Sequence, residues 1–382
     1  MKKITKECSL RFNPTLCLTH NCNLHCLYCY QKHDGVSEMS FDTAAKSIDW
    51  IFKHKPQGAT TVEISFIGGE PLLKFSLIKK IVEYVDQIYP QEKIIFSATT
   101  NGTLLDEEMK TWFSNNRDRF VLCLSLDGAP LSHNHNRCNS FGLIDTDFFI
   151  NNWPTQSVKM TISDFSLSHL AENLKFIYSL GFRNIGGVNL FEGDFDWSSD
   201  EYIEQLIPQL EDLVHFYVEH DDYNVDQMLN LRLDSCEFKN KRRRKWCGIG
   251  EGTPLFDTDG KIYPCAFCTP MTFSSSQLKK ILQTNFEDPN NFIDDDCFAN
   301  CYLYPVCHYC AGANYLIRHE FKKRDKTRCK ITKLITLYSA DLQMKRIIKS
   351  PSKYPEPQRT QTIKAISKIR TLFLPEFAAY QK

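Results

Sequence analysis

The sequence has no surplus of charge of either sign, no long apolar run and no repeat, and each absence removes a class of function. Its 46 Lys and Arg residues balance 46 Asp and Glu, so nothing global points to a nucleic acid or a membrane surface as partner. No stretch reaches the ~18 consecutive apolar residues that a membrane span needs. The opening MKKITKECSLRF is basic but has no apolar core, which leads us to expect no secretory signal and a cytoplasmic protein. Neither an internal repeat nor a low-complexity tract is present. What remains is a 382-residue chain, 42% hydrophobic and 24% charged. That is the balance of a soluble globular protein, with room for two cores and a short third element.

Cysteine is the residue in excess, with sixteen copies. Small secreted domains use such densities for disulfides, but a long chain without an export signal holds reduced thiols, which points to metal. The spacing then decides which metal.

Strand-like runs recur at Thr15–Thr19, Val62–Ile67, Ile94–Ala98, Val121–Leu126, Ser157–Ile162 and Asn184–Leu190. Between them, Phe41–Lys53, Phe75–Ile88, Leu105–Ser114, Leu170–Leu180 and Asp200–His220 carry apolar residues at helical spacing, as Ile78, Ile81, Val82, Val85 and Ile88 illustrate. Alternating strand and helix predicts an α/β fold with a parallel sheet, here a partial (β/α)6 TIM-like barrel over residues 1–230. After Asp234 the chain turns rich in Cys, Gly, Pro and aromatics and weak in helical periodicity. Residues 231–345 are therefore expected to form a small Cys-rich domain stapled by metal, and 346–382 a basic helical tail. Helices are predicted over Lys330–Lys349 and, after the linker Ser350–Pro357, over Thr360–Phe373.

Directly after the first strand stands Thr19-His-Asn-Cys22-Asn-Leu-His-Cys26-Leu-Tyr-Cys29-Tyr30. In such sheets the loops at the C-terminal strand ends hold the chemistry. Three thiolates at this spacing hold three irons of a 4Fe–4S cluster, and the missing fourth leaves one iron open to a small molecule. A zinc site completed by His20 or His25 is the alternative.

CxxxCxxC with Tyr28 before the last cysteine resembles the signature of the radical S-adenosylmethionine (SAM) superfamily. Its companions agree: Ile67-Gly68-Gly69-Glu70-Pro71 resembles the GGEP motif, and Thr99-Thr100-Asn101-Gly102-Thr103 and Ser125-Leu126-Asp127-Gly128 end the next two strands. Each could be a plain turn, but all four fall at the same end of successive strands. The resemblance implies that Cys22, Cys26 and Cys29 hold the cluster that cleaves SAM reductively to a 5′-deoxyadenosyl radical. It implies a SAM site built from Tyr28, Gly68, Gly69, Glu70, Asn101, Ser125, Asp127 and Arg137, with Glu70 at the amino group and Ser125 and Arg137 at the carboxylate. It also implies a flavodoxin or ferredoxin of low potential as reductant.

A second cysteine set runs Cys247, Gly260-x4-Cys265, Cys297-x3-Cys301-x5-Cys307-x2-Cys310, then Cys329. A zinc ribbon on Cys265/Cys268 and Cys307/Cys310 would leave the others without a role. The pattern is similar to the SPASM extension of radical SAM enzymes, which carries two auxiliary clusters, although the x2 and x3 intervals are exchanged here. By that resemblance Cys247, Cys265 and Cys310 bind the first auxiliary cluster, with Cys236 or Cys268 as fourth ligand or an open iron that captures a substrate thiolate. Cys297, Cys301, Cys307 and Cys329 bind the second. Of the other cysteines, Cys17 and Cys123 read as buried small hydrophobes, Cys138 lies close to the presumed SAM pocket, and Cys8 has no assigned role.

SPASM enzymes act mainly on peptides. The stretch Tyr302–Tyr315 resembles maturases of CXXX-repeat peptides, which leads us to expect a peptide maturase that forms a thioether or related cross-link in a ribosomally made, Cys-rich peptide. Anaerobic sulfatase-maturating enzymes, which make formylglycine, are the alternative, but they place an acidic base where this chain has Ala266. Glu192, Asp194 and Asp196 offer a base elsewhere, or simply an acidic surface loop. A cluster-bearing scaffold without catalysis is a third reading, against which the SAM motifs speak. The basic run Lys241–Lys245 reads as a solvated face or as a contact for an acidic leader or reductase. With 21 residues before Cys22, leader binding is expected on the barrel, the second domain or another protein.

Overall fold

A computed structural model describes residues 10–33, 37–193, 195–238, 243 and 245–380. Two short strands, β1 (Leu10–Phe12) and β2 (Thr15–Cys17), run along one neighbour, β3 (Ala59–Ile67), with Asn13-Pro14 between them. The helix α1 (Phe41–Lys53) joins β2 to β3, and α2 (Phe75–Ile88), β4 (Ile94–Thr100), α3 (Glu107–Asn115) and β5 (Phe120–Leu124) repeat the alternation. Three short helices missing from the sequence reading follow: α4 (Pro130–Asn136), α5 (Thr146–Asn152) and, beyond β6 (Lys159–Ile162), α6 (Asp164–Leu167). Their turns are too few for a periodicity to show. Then come α7 (Leu170–Leu180), β7 (Gly187–Leu190) and α8 (Asp200–Glu219). Strands β2 to β5 pair in parallel, β6 pairs in parallel with β7, and a parallel bridge Ser125↔Lys159 joins the two sheets. This is the expected partial barrel of six parallel strands.

Alternation within the strands separates two environments. Val62, Ile64 and Phe66 of β3 pack outward against the helices, whereas Glu63 and Ser65 face inward. Phe66, Phe96 and Phe120 stack across three strands at centroid distances of 5.8 to 6.0 Å. A slip of one residue would turn this ladder into the lumen, so it pins the register.

The Cys-rich segment is not detached from the barrel. Its hairpin, β8 (Leu255–Phe256) and β9 (Ile262–Tyr263), adds to the barrel sheet through parallel pairing of β8 with β2. It also contains helices that the weak periodicity hid: α9 (Ser275–Leu282), α10 (Asp295–Asn300) and α11 (Ala311–Arg318). Leu255, Tyr263, Met271, Phe273, Leu278, Ile281, Phe292 and Phe321 give it a core that Cys17 of the barrel joins. The 345/346 boundary falls inside α12 (Arg328–Lys349), which packs on α8 and on α13 (Gln358–Phe373). Arg346 donates to Tyr217 O at 2.8 Å and also to His220 O at the end of α8, where helix carbonyls lack partners. No helix among the described residues is long and apolar enough to cross a membrane.

Candidate active site

The loop after β2 is held from two sides. Gly69 N–H donates to Thr19 O (3.0 Å) and Glu70 N–H to Asn21 O (2.9 Å), so the turn after β3 lies against the cysteine loop. On the other side Leu27 N–H donates to Asn136 O (2.9 Å), and the Cys138 thiol donates to His25 O at 3.1 Å. The glycines serve this packing: a Cβ on Gly68 would stand 2.4 Å from Thr19 O, and one on Gly69 would stand 2.3 Å from Asn21 O. It is therefore the main chain of the cysteine loop that demands glycine here.

Glu70 is 1% exposed. Its carboxylate accepts from Leu72 N, Thr100 Oγ1 and Asn101 N at 3.1, 2.8 and 2.8 Å, which locks the turn after β3 to the turn after β4. Burial pushes its carboxyl up to about 7, while those three donors pull it back. Asn101 in turn donates to Asn23 Oδ1 (2.9 Å), a second tie to the cysteine loop. Both side chains act first on protein partners.

Asp127 is fully buried. It accepts from Tyr28 OH (2.5 Å), Arg137 Nε (3.0 Å) and Nη2 (3.3 Å), Asn136 Nδ2 (3.2 Å) and Thr161 N (3.0 Å). One edge of the Arg137 fork is thus engaged by Asp127, and Nη1 reaches toward Cys26 Sγ at 4.0 Å. Arg137 also lies over the Tyr28 ring, 5.3 Å from its centroid. His133 backs this network, accepting from Asp127 N–H (3.3 Å) and pairing with Ser140 Oγ (3.1 Å).

These loops open on a cavity of about 640 Å³. One wall holds Cys22, Cys26, Cys29, Tyr28, Gly68, Gly69, Glu70, Asn101, Ser125 and Arg137, so ten of the eleven residues expected at the cluster and SAM line it; Asp127 lies behind Arg137. The Cys-rich segment and the chain just after β7 also line the cavity, through Trp246, Cys247, Ala266, Phe267, His308, Cys310, Glu192 and Arg328. Glu192 therefore belongs to the cavity, ion-paired with Arg328, while Asp196 is exposed and Asp194 lies outside the described residues. His33, 3.5 Å from Cys29 Sγ, and Lys159, whose Nζ donates to Thr99 Oγ1 (2.7 Å), also line it. Neither gave a sequence signal, since each acquires its neighbour only through folding.

The later cysteines separate into two groups. Cys268 has Cys265, Cys310 and Cys247 as thiol neighbours and shares a hydrogen bond with Cys265, which with burial pushes its thiol up. Cys307 has Cys301, Cys329 and Cys297 as neighbours, and burial first of all pushes its thiol up. Cys236 is buried in the barrel core near Tyr302. Cys123 is half-buried beside Lys159, not a core residue as expected, because its side chain faces the barrel interior.

A single zinc ion is a poor match for the first three cysteines. Among the described residues the only three Cys, His, Asp or Glu ligand atoms gathered within 4.8 Å of one another are those of Cys17, His20 and Asp257. Cys22, Cys26 and Cys29 form no such group among the described residues, and three thiolates leave one iron of a 4Fe–4S cluster without a protein ligand. His20 pairs with Asp257 instead (2.7 Å), and His25 is exposed. Burial raises all three thiols, that of Cys26 to about 12, so metal must displace protons to bind. The residues present fit a 4Fe–4S cluster with one iron left open.

Comparison with known proteins agrees. The model of the radical SAM superfamily matches residues 16–130. The chain is 24% identical over 366 residues to the radical SAM cyclopropyl synthase TigE of Paramaledivibacter caminithermalis, covering 84% of this chain and 72% of that one. It is 23% identical over 336 residues to a cysteine-type anaerobic sulfatase-maturating enzyme of Clostridium novyi, covering 79% and 87%. The fold is similar to that of native anSMEcpe with bound AdoMet and Cp18Cys peptide: TM-score 0.63, 17% identity, 94% of this chain and 100% of that one. Taken with the four motif loops gathered at one end of the barrel, these likenesses show that the chain carries a radical SAM domain over residues 16–130, of the superfamily whose cofactors are SAM and a 4Fe–4S cluster.

Proposed function

We propose that this enzyme is a peptide maturase that abstracts hydrogen from a ribosomally made, Cys-rich peptide to form a thioether or related carbon cross-link. The observation that carries the reading is the cavity itself: cysteines of the SAM loop and of the Cys-rich segment line one space of about 640 Å³. Cys22, Cys26 and Cys29 would hold the SAM-binding cluster. When bound, that cluster supplies the electron that splits SAM into methionine and a 5′-deoxyadenosyl radical. Arg137 Nη1 and Ser125 line the place of the SAM carboxylate, while Asp127 fixes the guanidinium. Glu70 would act mainly by fixing the turns around the SAM amino group.

Two auxiliary clusters follow on the same reading. Cys247, Cys265, Cys268 and Cys310 would hold one, with the buried Cys268 as the fourth ligand, and Cys297, Cys301, Cys307 and Cys329 the other. A four-thiolate first cluster leaves no open iron for a substrate thiolate. The electron donor would be a low-potential flavodoxin or ferredoxin. That the fold of anSMEcpe with bound AdoMet and Cp18Cys peptide is similar to that of this chain supports a peptide substrate.

Sulfatase maturation is the second reading, favoured by the likeness to the Clostridium novyi enzyme. Ala266 on the cavity wall, at the place of those enzymes' acidic base, weighs against it. The test is anaerobic incubation of the reduced protein with SAM and a short Cys-rich peptide encoded beside its gene. We expect 5′-deoxyadenosine and a peptide lacking two hydrogens with every sulfur retained. Loss of a cysteine sulfur with formation of an aldehyde would shift the assignment to formylglycine, and an unmodified peptide would refute the cross-linking reading.

A further inference from the structure

Arg324 is 7% exposed, and among the described residues no carboxylate pairs with it. Its guanidinium lies between the rings of Tyr304 and Tyr309, at 4.9 and 4.2 Å from their centroids. Its Nε is buried without a hydrogen-bond partner. A full positive charge placed so deeply carries a large desolvation penalty unless a negative charge is close. What lies close are thiols: the charge of Arg324 acts on Cys307 and Cys297. A second cation joins it, for Lys326 Nζ donates to Cys297 Sγ at 3.0 Å while sharing Asp294 and Asp296 at 3.3 and 3.6 Å. Among the described residues, Arg328, which lines the cavity with Cys247 and Cys310, is ion-paired with Glu192. Lys245, the buried lysine near Cys247 in sequence, donates instead to Ile249 O and Phe286 O and pairs with Glu251.

A cluster ligated by four thiolates is anionic, and its reduction adds one further negative charge. Cations and hydrogen bonds at its sulfurs favour the reduced form and so raise its potential. Taking the two auxiliary clusters of the proposed function as given, we infer that Arg324 and Lys326 are potential-setting residues for the cluster on Cys297, Cys301, Cys307 and Cys329. They hold its reduction potential above the value it would have without them. They touch neither SAM nor substrate; they act through the cluster's sulfurs.

The experiment is a redox titration followed by electron paramagnetic resonance on the anaerobically reconstituted full-length protein, with Arg324→Met and Lys326→Met. In each variant the midpoint of one auxiliary signal should move to more negative potential, and further in the double variant, with iron content unchanged. Cys301→Ala should abolish the signal that moves. Lys326 is half-exposed, so its variant decides the question if Arg324→Met loses iron on folding. Wild-type midpoints in fully loaded Lys326→Met, or movement of a signal that survives Cys301→Ala, would overturn the inference. A wild-type protein with iron for a single cluster would instead overturn the two-cluster reading beneath it, and the iron assay alone tells these failures apart.

Discussion

Gly69→Ala should dislodge the cysteine loop without unfolding the barrel. A Cβ at this position meets Asn21 O at 2.3 Å, Asn21 C at 2.5 Å and Cys22 Cβ at 2.8 Å, mostly main-chain atoms that cannot rotate away. Restoring an ordinary contact of about 3.4 Å moves the loop by about 1 Å. That shift breaks or stretches the bonds from Gly69 N–H to Thr19 O and from Glu70 N–H to Asn21 O, each contributing about 1 kcal/mol. Overpacking adds about 1–3 kcal/mol, for a total near 3–5 kcal/mol. Since the loop is anchored by a handful of hydrogen bonds and the barrel by a large core, the loop gives way first. The assay is iron and sulfide content after anaerobic reconstitution, with the melting temperature beside it. Gly142→Ala is the control, because a Cβ there meets nothing within 4 Å. We expect Gly69→Ala to lose the irons of one cluster, about 4, and its SAM cleavage, while Gly142→Ala keeps both. Wild-type iron, melting temperature and SAM cleavage in Gly69→Ala would refute the claim that this glycine is required by the main chain of the cysteine loop.

Three further expectations concern other parts of the molecule. Asp127→Asn strands the buried Arg137 charge and should lower stability by about 3–5 kcal/mol, measured by denaturant unfolding under anaerobic conditions; a loss under about 1 kcal/mol would contradict the pairing described. Burial lowers His133 from 6.5 to about 4, so between these values the unfolded chain binds a proton that the folded one refuses. Stability from this residue is complete above pH 6.5 and falls as pH drops toward 4, by up to about 3 kcal/mol. His133→Gln should flatten that part of the melting-temperature profile, and an unchanged slope would rule His133 out as its source. Finally, Cys268→Ser should lower the iron content by up to one cluster and alter the auxiliary signal, whereas Cys236→Ser should leave both as they are; the reverse result would make Cys236 the ligand.

The periodic parts of the chain were legible because their determinants are local. Helices Phe41–Lys53, Phe75–Ile88 and Leu170–Leu180 have the bounds that apolar spacing predicts. The four motif loops could be read because each ends a strand and strand order fixes their common side. The helices of the Cys-rich segment could not, since Ser275–Leu282, Asp295–Asn300 and Ala311–Arg318 are two turns or so and draw their order from contacts with other elements. Its attachment to the barrel was equally hidden, because the pairing of Leu255 and Phe256 with Thr15 and Leu16 joins segments some 240 residues apart.

By itself the sequence determined the barrel, the cysteine loop and the residues gathered around it, because spacing along the chain is enough to specify strands, turns and a multi-thiolate loop. Only the tertiary structure decided what those residues do for one another. Glu70 and Asp127 turned out to be tied to protein donors, Gly69 to be required by a neighbouring main chain, and Glu192 to face the cavity. It also sorted the later cysteines, placing Cys268 with the first group and Arg324 against the second. The physical reason is distance: hydrogen bonds, desolvation and charge act over a few ångströms in space, and the folded chain brings to that range residues that the sequence holds far apart.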